Sequence, residues 1–320
     1  MEKDKQPTAP HILKKLAHVL GTAVKNRRIE IPEEFGKGYC SGFVFNAHIR
    51  MLIMNYELNQ DLLVENPDRN TAAQMILFKF QNIFPKTETL SAGKQLKTIP
   101  SVLIATGSVN TDAVIPVHTN TAVINIEVDA AYLKGLFDLP ETSLVLQNLL
   151  QNTQPLLFEQ MIYPSLQKII EEIVSESVEE TFKLFFLRIK AEELICRLLM
   201  ELEKRDEKHI YALNIHDIEA IYQLKEQMLE QLETPPVIKE LAVRSGMSPS
   251  KLKRVFKQIF GNSIFNYYQE FRMKKAAYLL KEEKLSVSAA GYQLGFTNLS
   301  HFSRVFREHI GMKPKQYSQS

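Results

Sequence analysis

The sequence predicts an α+β protein. A β-rich, sandwich- or barrel-like N-terminal domain is followed by a helical segment. An all-α C-terminal domain then holds two helix-turn-helix units joined by a long helix. Three observations carry this prediction. Short apolar runs separated by turn residues fill the first half. A leucine-rich stripe at three- and four-residue spacing follows. Near the C-terminus, one small glycine-centred unit occurs twice. The expected boundaries are 1–143 for the β-rich domain, 144–233 for the helical dimerisation or linker segment, and 234–320 for the C-terminal domain.

Composition bounds the rest. The chain has 320 residues and is 45% hydrophobic, ample for packed cores in two domains. No apolar run reaches the roughly 18–20 residues of a membrane span. Met1-Glu2-Lys3-Asp4-Lys5 lacks the apolar core of a secretory signal. Cys40 and Cys196 cannot form a disulfide framework or a zinc site alone, and they fit a reducing cytosol. The expected location is therefore cytoplasmic. The net charge of +2 hides an asymmetry. Residues 234–320 hold 15 Lys and Arg against 5 Asp and Glu, and residues 1–233 hold 24 against 32. A basic end on an acidic body meets a polyanion with that end alone.

Along the chain, His11 to Lys25 reads as a short amphipathic helix with Ile12, Leu16, Val19 and Leu20 on one side. Strands are expected at 39–45, 51–54, 75–80, 102–104 and 122–128, with turn clusters such as Glu65-Asn66-Pro67-Asp68 between them. From about Leu144 to Leu232 the pattern is helical. Leu184, Leu187, Ala191, Leu194, Ile195, Leu198, Leu199 and Leu202 form a stripe that serves as core, and as a dimer seam if it extends outward. Thr234-Pro235-Pro236 stops the helix.

The repeat follows. Leu252, Arg254, Val255, Phe256 and Gly261 recur as Phe302, Arg304, Val305, Phe306 and Gly311 at one offset; Gly246 and Gly295 are one residue closer. In the first unit, Val237 to Arg244 supports, Gly246 turns, Ser248 caps and Pro249 opens the second helix. In the second, Val287 to Leu294 supports, Gly295 turns and Thr297 caps. Leu252, Val255, Phe256 and Ile259 anchor the first reading helix, as Phe302, Val305 and Phe306 anchor the second. Ser250, Lys251, Lys253, Arg254 and Lys257 are left outside on one. Asn298, Ser300, His301, Ser303, Arg304 and Arg307 are left outside on the other. Small polar and basic side chains at a helix start suit major-groove entry. Lys251, Lys257 and Arg307 suit phosphate. Ser263 to Lys281 reads as one connecting helix of about 27 Å. Successive major-groove faces lie about 34 Å apart, so one chain can present both helices to double-stranded DNA.

Residues 234–320 resemble the DNA-binding domain of the AraC/XylS family of bacterial transcription regulators. The resemblance is carried by Phe256-Lys257-Gln258-Ile259-Phe260-Gly261, Tyr268, Arg272, Ala276 and Leu279-Leu280. It continues through Gly295-Phe296, Phe302-Ser303-Arg304-Val305-Phe306-Arg307, Gly311, Pro314 and Tyr317. It implies binding to promoter DNA, regulation of transcription (most often activation) and contact with RNA polymerase. By family position, Ser250, Lys253 and Arg254 resemble base readers of the first unit, and Ser300, His301, Ser303 and Arg304 those of the second. One departure is Ala289-Ala290-Gly291, where the family usually shows an acidic residue, Ile and Ala. Glycine inside a helix costs about 0.5–1 kcal/mol relative to alanine, so helix propensity alone predicts that Gly291→Ala stabilises the domain.

For the first 233 residues the resemblance implies a domain that senses a small molecule, forms a homodimer, or both. Phe43, Phe45, His48, Tyr56, Phe78 and His118 are candidates to line a pocket. No catalytic constellation, phosphate loop or metal-spaced His/Cys set occurs, so the chain reads as a non-enzyme without cofactor or metal. Two other readings stay open: a co-regulator whose N-terminal domain binds a protein, and a DNA-repair methyltransferase, which would need a cysteine-rich module.

Overall fold

The computed structural model describes residues 9–60, 62–65, 73–83, 100–109, 114–117, 120–137, 142–205 and 207–319. They fall into two compact units that meet in sequence between Leu213 and Asn214.

The N-terminal unit is built on an antiparallel sheet of seven strands in the order β1-β2-β3-β8-β5-β6-β9. Its strands are β1 (Arg28–Glu30), β2 (Gly36–Val44), β3 (Ile49–Leu58), β5 (Met75–Gln81), β6 (Ser101–Thr106), β8 (Asn120–Asp129) and β9 (Leu157–Met161). Strands β4 (Leu62–Glu65) and β7 (Val114–Val117) pair separately. The β-rich expectation thus takes the form of one large sheet with a small ribbon. Strand alternation sends residues to opposite faces. Ile49, Met51 and Ile53 of β3 pack with Phe78, Ile124 and Ile126 and with the helices that follow. Tyr56 and Leu58 pack on the other side with Leu13 and Leu16 of α1 (His11–Val19). Cys40 belongs to that second cluster, where burial pushes its thiol up to about 12; Cys196 is exposed.

The helical segment contains α2 (Ala130–Lys134), α3 (Leu144–Gln151), α4 (Pro164–Ser175) and α5 (Glu180–Glu203). One expectation needs correction: β9 lies inside the stretch read as helical. Leu157 to Met161 is too short and too tightly bounded by Pro155 and Pro164 to hold a helix. It instead satisfies the edge of β6, with Leu103 opposite Glu159. The leucine stripe is core as expected, since Leu187, Ala191, Leu194, Ile195, Leu198, Leu199 and Leu202 of α5 are all buried.

The C-terminal unit contains α6 (Ile215–Glu230), α7 (Ile238–Arg244), α8 (Pro249–Phe260), α9 (Ile264–Lys281), α10 (Val287–Gln293), α11 (Leu299–Ile310) and α12 (Pro314–Tyr317). It begins about twenty residues before Pro235-Pro236, the boundary drawn from sequence. The reason is side-chain packing that a proline signal does not report. Ile221 and Leu224 of α6 are buried, and Tyr222 meets Phe260 of α8 with ring centres 5.8 Å apart.

Candidate nucleic-acid interface

The second helices of the two units, α8 and α11, are held by the same devices. In α8, Ser248 Oγ accepts from the Lys251 amide at 3.2 Å, and Pro249 occupies the first turn. Gly261, with φ +71°, closes the helix. Leu252, Val255, Phe256 and Ile259 are buried. In α11, Phe302, Val305 and Phe306 are buried and Gly311 closes the helix with φ +89°. Here the cap is Asn298 and not the expected Thr297. Its Oδ1 accepts from the Ser300 and His301 amides at 2.9 and 3.0 Å. The second turn carries the extra residue, and this moves the cap one position on.

Burial then sorts the eleven candidate residues. Ser250, Lys253, Arg254 and Lys257 are exposed at positions spaced three and four apart, and so share one face of α8. Ser300, Ser303, Arg304 and Arg307 stand at the same spacing on α11, fifty residues on; Ser303 is half-buried and the others exposed. The two faces are therefore copies: serine at the entry, then Lys or Ser, then Arg, then a second cation. Arg304 Nε lies 3.9 Å from Glu308, an ion pair exposed enough to contribute little.

The remaining three have identified tasks within the protein. Asn298 caps. Lys251 Nζ donates to Asp217 Oδ1 of α6 at 2.8 Å, so its charge is partly matched within the protein. His301, the equivalent position on α11, lies edge-on to Phe296 at 5.7 Å between ring centres. Sequence position alone places these residues beside the outer face; only their neighbours reveal the internal roles.

The connector α9 is more than a spacer. Arg272, 4% exposed, donates through Nε and Nη2 to the Leu294 carbonyl in the second turn. Its Nη1 donates to Gln269 Oε1 at 3.2 Å, and its guanidinium lies 3.9 Å over the Phe296 ring. Burial lowers the guanidinium from its ordinary value. Tyr268 Oη donates to the Leu232 carbonyl at 2.6 Å. One helix thus grips the second turn and the segment that enters the domain. Sequence reasoning assigned Arg272 to the family pattern without finding this task.

Gly291 reverses an expectation. A Cβ there would lie 2.9 Å from Leu299 Cδ2 and 3.2 Å from Phe302 Cδ1. The leucine methyl can move, but Phe302 is fully buried. Overpacking costs about 1–3 kcal/mol, which outweighs a helix-propensity gain of about 0.5–1 kcal/mol. Gly291→Ala should therefore lower the melting temperature of the protein; an increase would restore the propensity argument.

Residues 241–320 match the family model described as a helix-turn-helix domain. The chain is similar to the transcriptional regulator GbdR of Pseudomonas aeruginosa, 32% identical over 112 residues, which cover 35% of this chain and 30% of that protein. It is similar to the transcriptional activator RhaR of Klebsiella pneumoniae, 33% identical over 88 residues, covering 28% and 31%. The chain thus spans about three tenths of the length of these relatives. Among solved structures, an AraC-type regulator from Chromobacterium violaceum is 28% identical, with TM-score 0.31, covering 33% of this chain and 95% of that one. The helix-turn-helix match, the two capped helices α8 and α11 and the gripping connector all fall in one unit. Residues 241–320 of this chain therefore match a helix-turn-helix domain, and in that region the chain is similar to transcription regulators.

Proposed function

We propose that this chain is a DNA-binding transcription regulator that reads two successive major grooves with α8 and α11. The observation that carries the reading is the duplicated outer face: Ser250, Lys253, Arg254 and Lys257 on one helix, Ser300, Ser303, Arg304 and Arg307 on the other. Arginine can take guanine through two parallel hydrogen bonds, and serine reaches base edges at the helix entry. Lys257 and Arg307, one turn further on, set register on phosphate. Lys251, Asn298 and His301 adjoin the DNA from the flank and stabilise the helices that enter it. The 18 residues of α9 give about 27 Å of separation, suited to a bend or tilt that brings both helices onto one side of the duplex.

The first unit supplies control in this reading, by sensing a small molecule and by pairing two copies. Phe182, Phe185 and Ile189 are 58, 67 and 45% exposed on the outer side of α5, and support a seam between copies. Activation, through contact with RNA polymerase, is the direction favoured by the likeness to a protein named an activator.

The test is retardation of genomic promoter fragments by the full chain across a salt series. Affinity should fall steeply with salt, because phosphate contacts release counterions. Arg304→Ala should weaken the selected site by about 1–3 kcal/mol and random DNA much less. Equal losses on both would make Arg304 a phosphate contact, and flat salt dependence would reject DNA reading.

A further inference from the structure

A cavity of about 250 Å³ lies in the N-terminal unit between the sheet and the helices α4 and α5. Register builds its sheet wall. Arg28 stands opposite Ser41 and Glu30 opposite Tyr39; Ser41 stands opposite Ile53. Tyr39, Ser41 and Phe43 alternate along β2 and share one face. Phe186 and Leu187 of α5 form the facing wall. One end is therefore apolar, and the polar groups gather at the other.

That polar end is rich in donors with capacity to spare. The Arg28 guanidinium lies 3.6 Å over the Tyr39 ring, which holds it in place. Glu30 engages Arg28 Nε, and the two Nη groups have no acceptor among the described residues. Ser41 is 7% exposed, and its hydroxyl has no hydrogen-bond partner among the described residues. The residue lines the cavity, where that hydroxyl can meet a ligand. Lys183 also lines the cavity, its nearest carboxylate being Glu180 at 3.4 Å. The turn that delivers Arg28 is unusual. Asn26 and Arg27 both have positive φ, +48° and +62°, in a two-residue hairpin closed by hydrogen bonds between Lys25 and Arg28. Glycine is the usual second residue of such a turn. Strain of this kind persists where surrounding structure holds it, often beside a ligand site.

We infer that this cavity binds a small carboxylate with an apolar body. The carboxylate lies on the Arg28 fork, the Ser41 hydroxyl and Lys183. Planar, paired donors of arginine match a carboxylate's two oxygens. The body packs on Phe43, Ile53, Phe186 and Leu187. The volume is below the range of drug-sized pockets, which limits the body to one ring or a short branched chain. Glu176, exposed at the lip, can meet an ammonium, so both simple acids and α-amino acids carry the required chemistry. The site lies wholly in the N-terminal unit and stands independently of DNA reading.

The test is calorimetric titration of the full chain with 3-phenylpropanoate, 4-methylpentanoate and phenylalanine. 3-Phenylpropanamide is the neutral control. At least one carboxylate should bind and raise the melting temperature, and the amide should bind at least about tenfold more weakly. Preference for phenylalanine over 3-phenylpropanoate identifies amino acids as the source; the reverse identifies simple acids. Arg28→Gln and Lys183→Gln should each weaken carboxylate binding about tenfold or more. Should Arg28→Gln unfold the hairpin, Lys183→Gln carries the test, since that side chain is 40% exposed. No binding by any of the three carboxylates at millimolar concentration overturns the inference. So does amide binding as tight as the acid, or Lys183→Gln binding as tightly as the unaltered chain. Promoter retardation by the same sample separates this failure from failure of the regulator reading.

Discussion

Replacing Arg272 with methionine should destabilise the C-terminal unit by about 3 kcal/mol and weaken promoter binding at least about tenfold. The Leu294 carbonyl accepts from two guanidinium N–H groups in a site that excludes water, and methionine removes both donors. An unsatisfied buried polar group costs about 1–3 kcal/mol. Loss of the guanidinium stacked on Phe296 adds about 0.5–2 kcal/mol. Burial already works against the charged form, which shows how fully the side chain is committed to this position. Methionine retains much of the apolar stem, so the cavity term is small. Chemical denaturation measures the stability loss. Hydrogen exchange on α11 should quicken more than on α8, because the second turn is the part released. A variant with unchanged stability and uniform exchange would show that the second unit holds its place without Arg272.

Gly295→Ala should be far more damaging than Gly246→Ala, although both residues occupy the same position in their repeats. Both have positive φ, +64° at Gly246 and +75° at Gly295. A side chain in that conformation costs about 1–2 kcal/mol. At Gly246 this is the whole penalty, because an added Cβ meets nothing within 4 Å. At Gly295 the Cβ would lie 2.2 Å from the Glu233 carbonyl oxygen. Backbone cannot rotate away as a side-chain tip can. Either the second turn or the entering segment must move, and Tyr268 ties that segment through Leu232. A total near 4 kcal/mol follows from adding an overpacking cost of about 1–3 kcal/mol. Paired melting curves decide the matter. Equal losses would mean that the entering segment yields freely, and that its contact with the second unit is incidental.

Much of this molecule was legible from local pattern. The repeat located both helices α8 and α11, because amphipathic spacing, a capping serine and closing glycines act over a few residues. Pro249 and Gly261 bound α8 where sequence placed its ends. The pocket candidates fared less well. Phe43 lines the cavity and stacks near Phe45, but Phe78 is core, Tyr56 faces the opposite side of the sheet, and His48 stacks on Tyr132 away from it. His118 lies outside the described residues. Residue type alone cannot say which face of a strand meets a helix; register does.

Sequence by itself determined the class of the C-terminal domain, its turns and the two outward faces, since each depends on residues within one helix and its caps. Tertiary structure decided the tasks that join distant segments. It made Arg272 the grip on the second turn, Gly291 and Gly295 sites of close approach, Lys251 a partner of Asp217, and Arg28 a cation stacked on Tyr39 at the edge of a cavity. These contacts link residues 8 to 62 positions apart along the chain, or depend on strand register. Their energies come from excluded water and filled space, which no local pattern records.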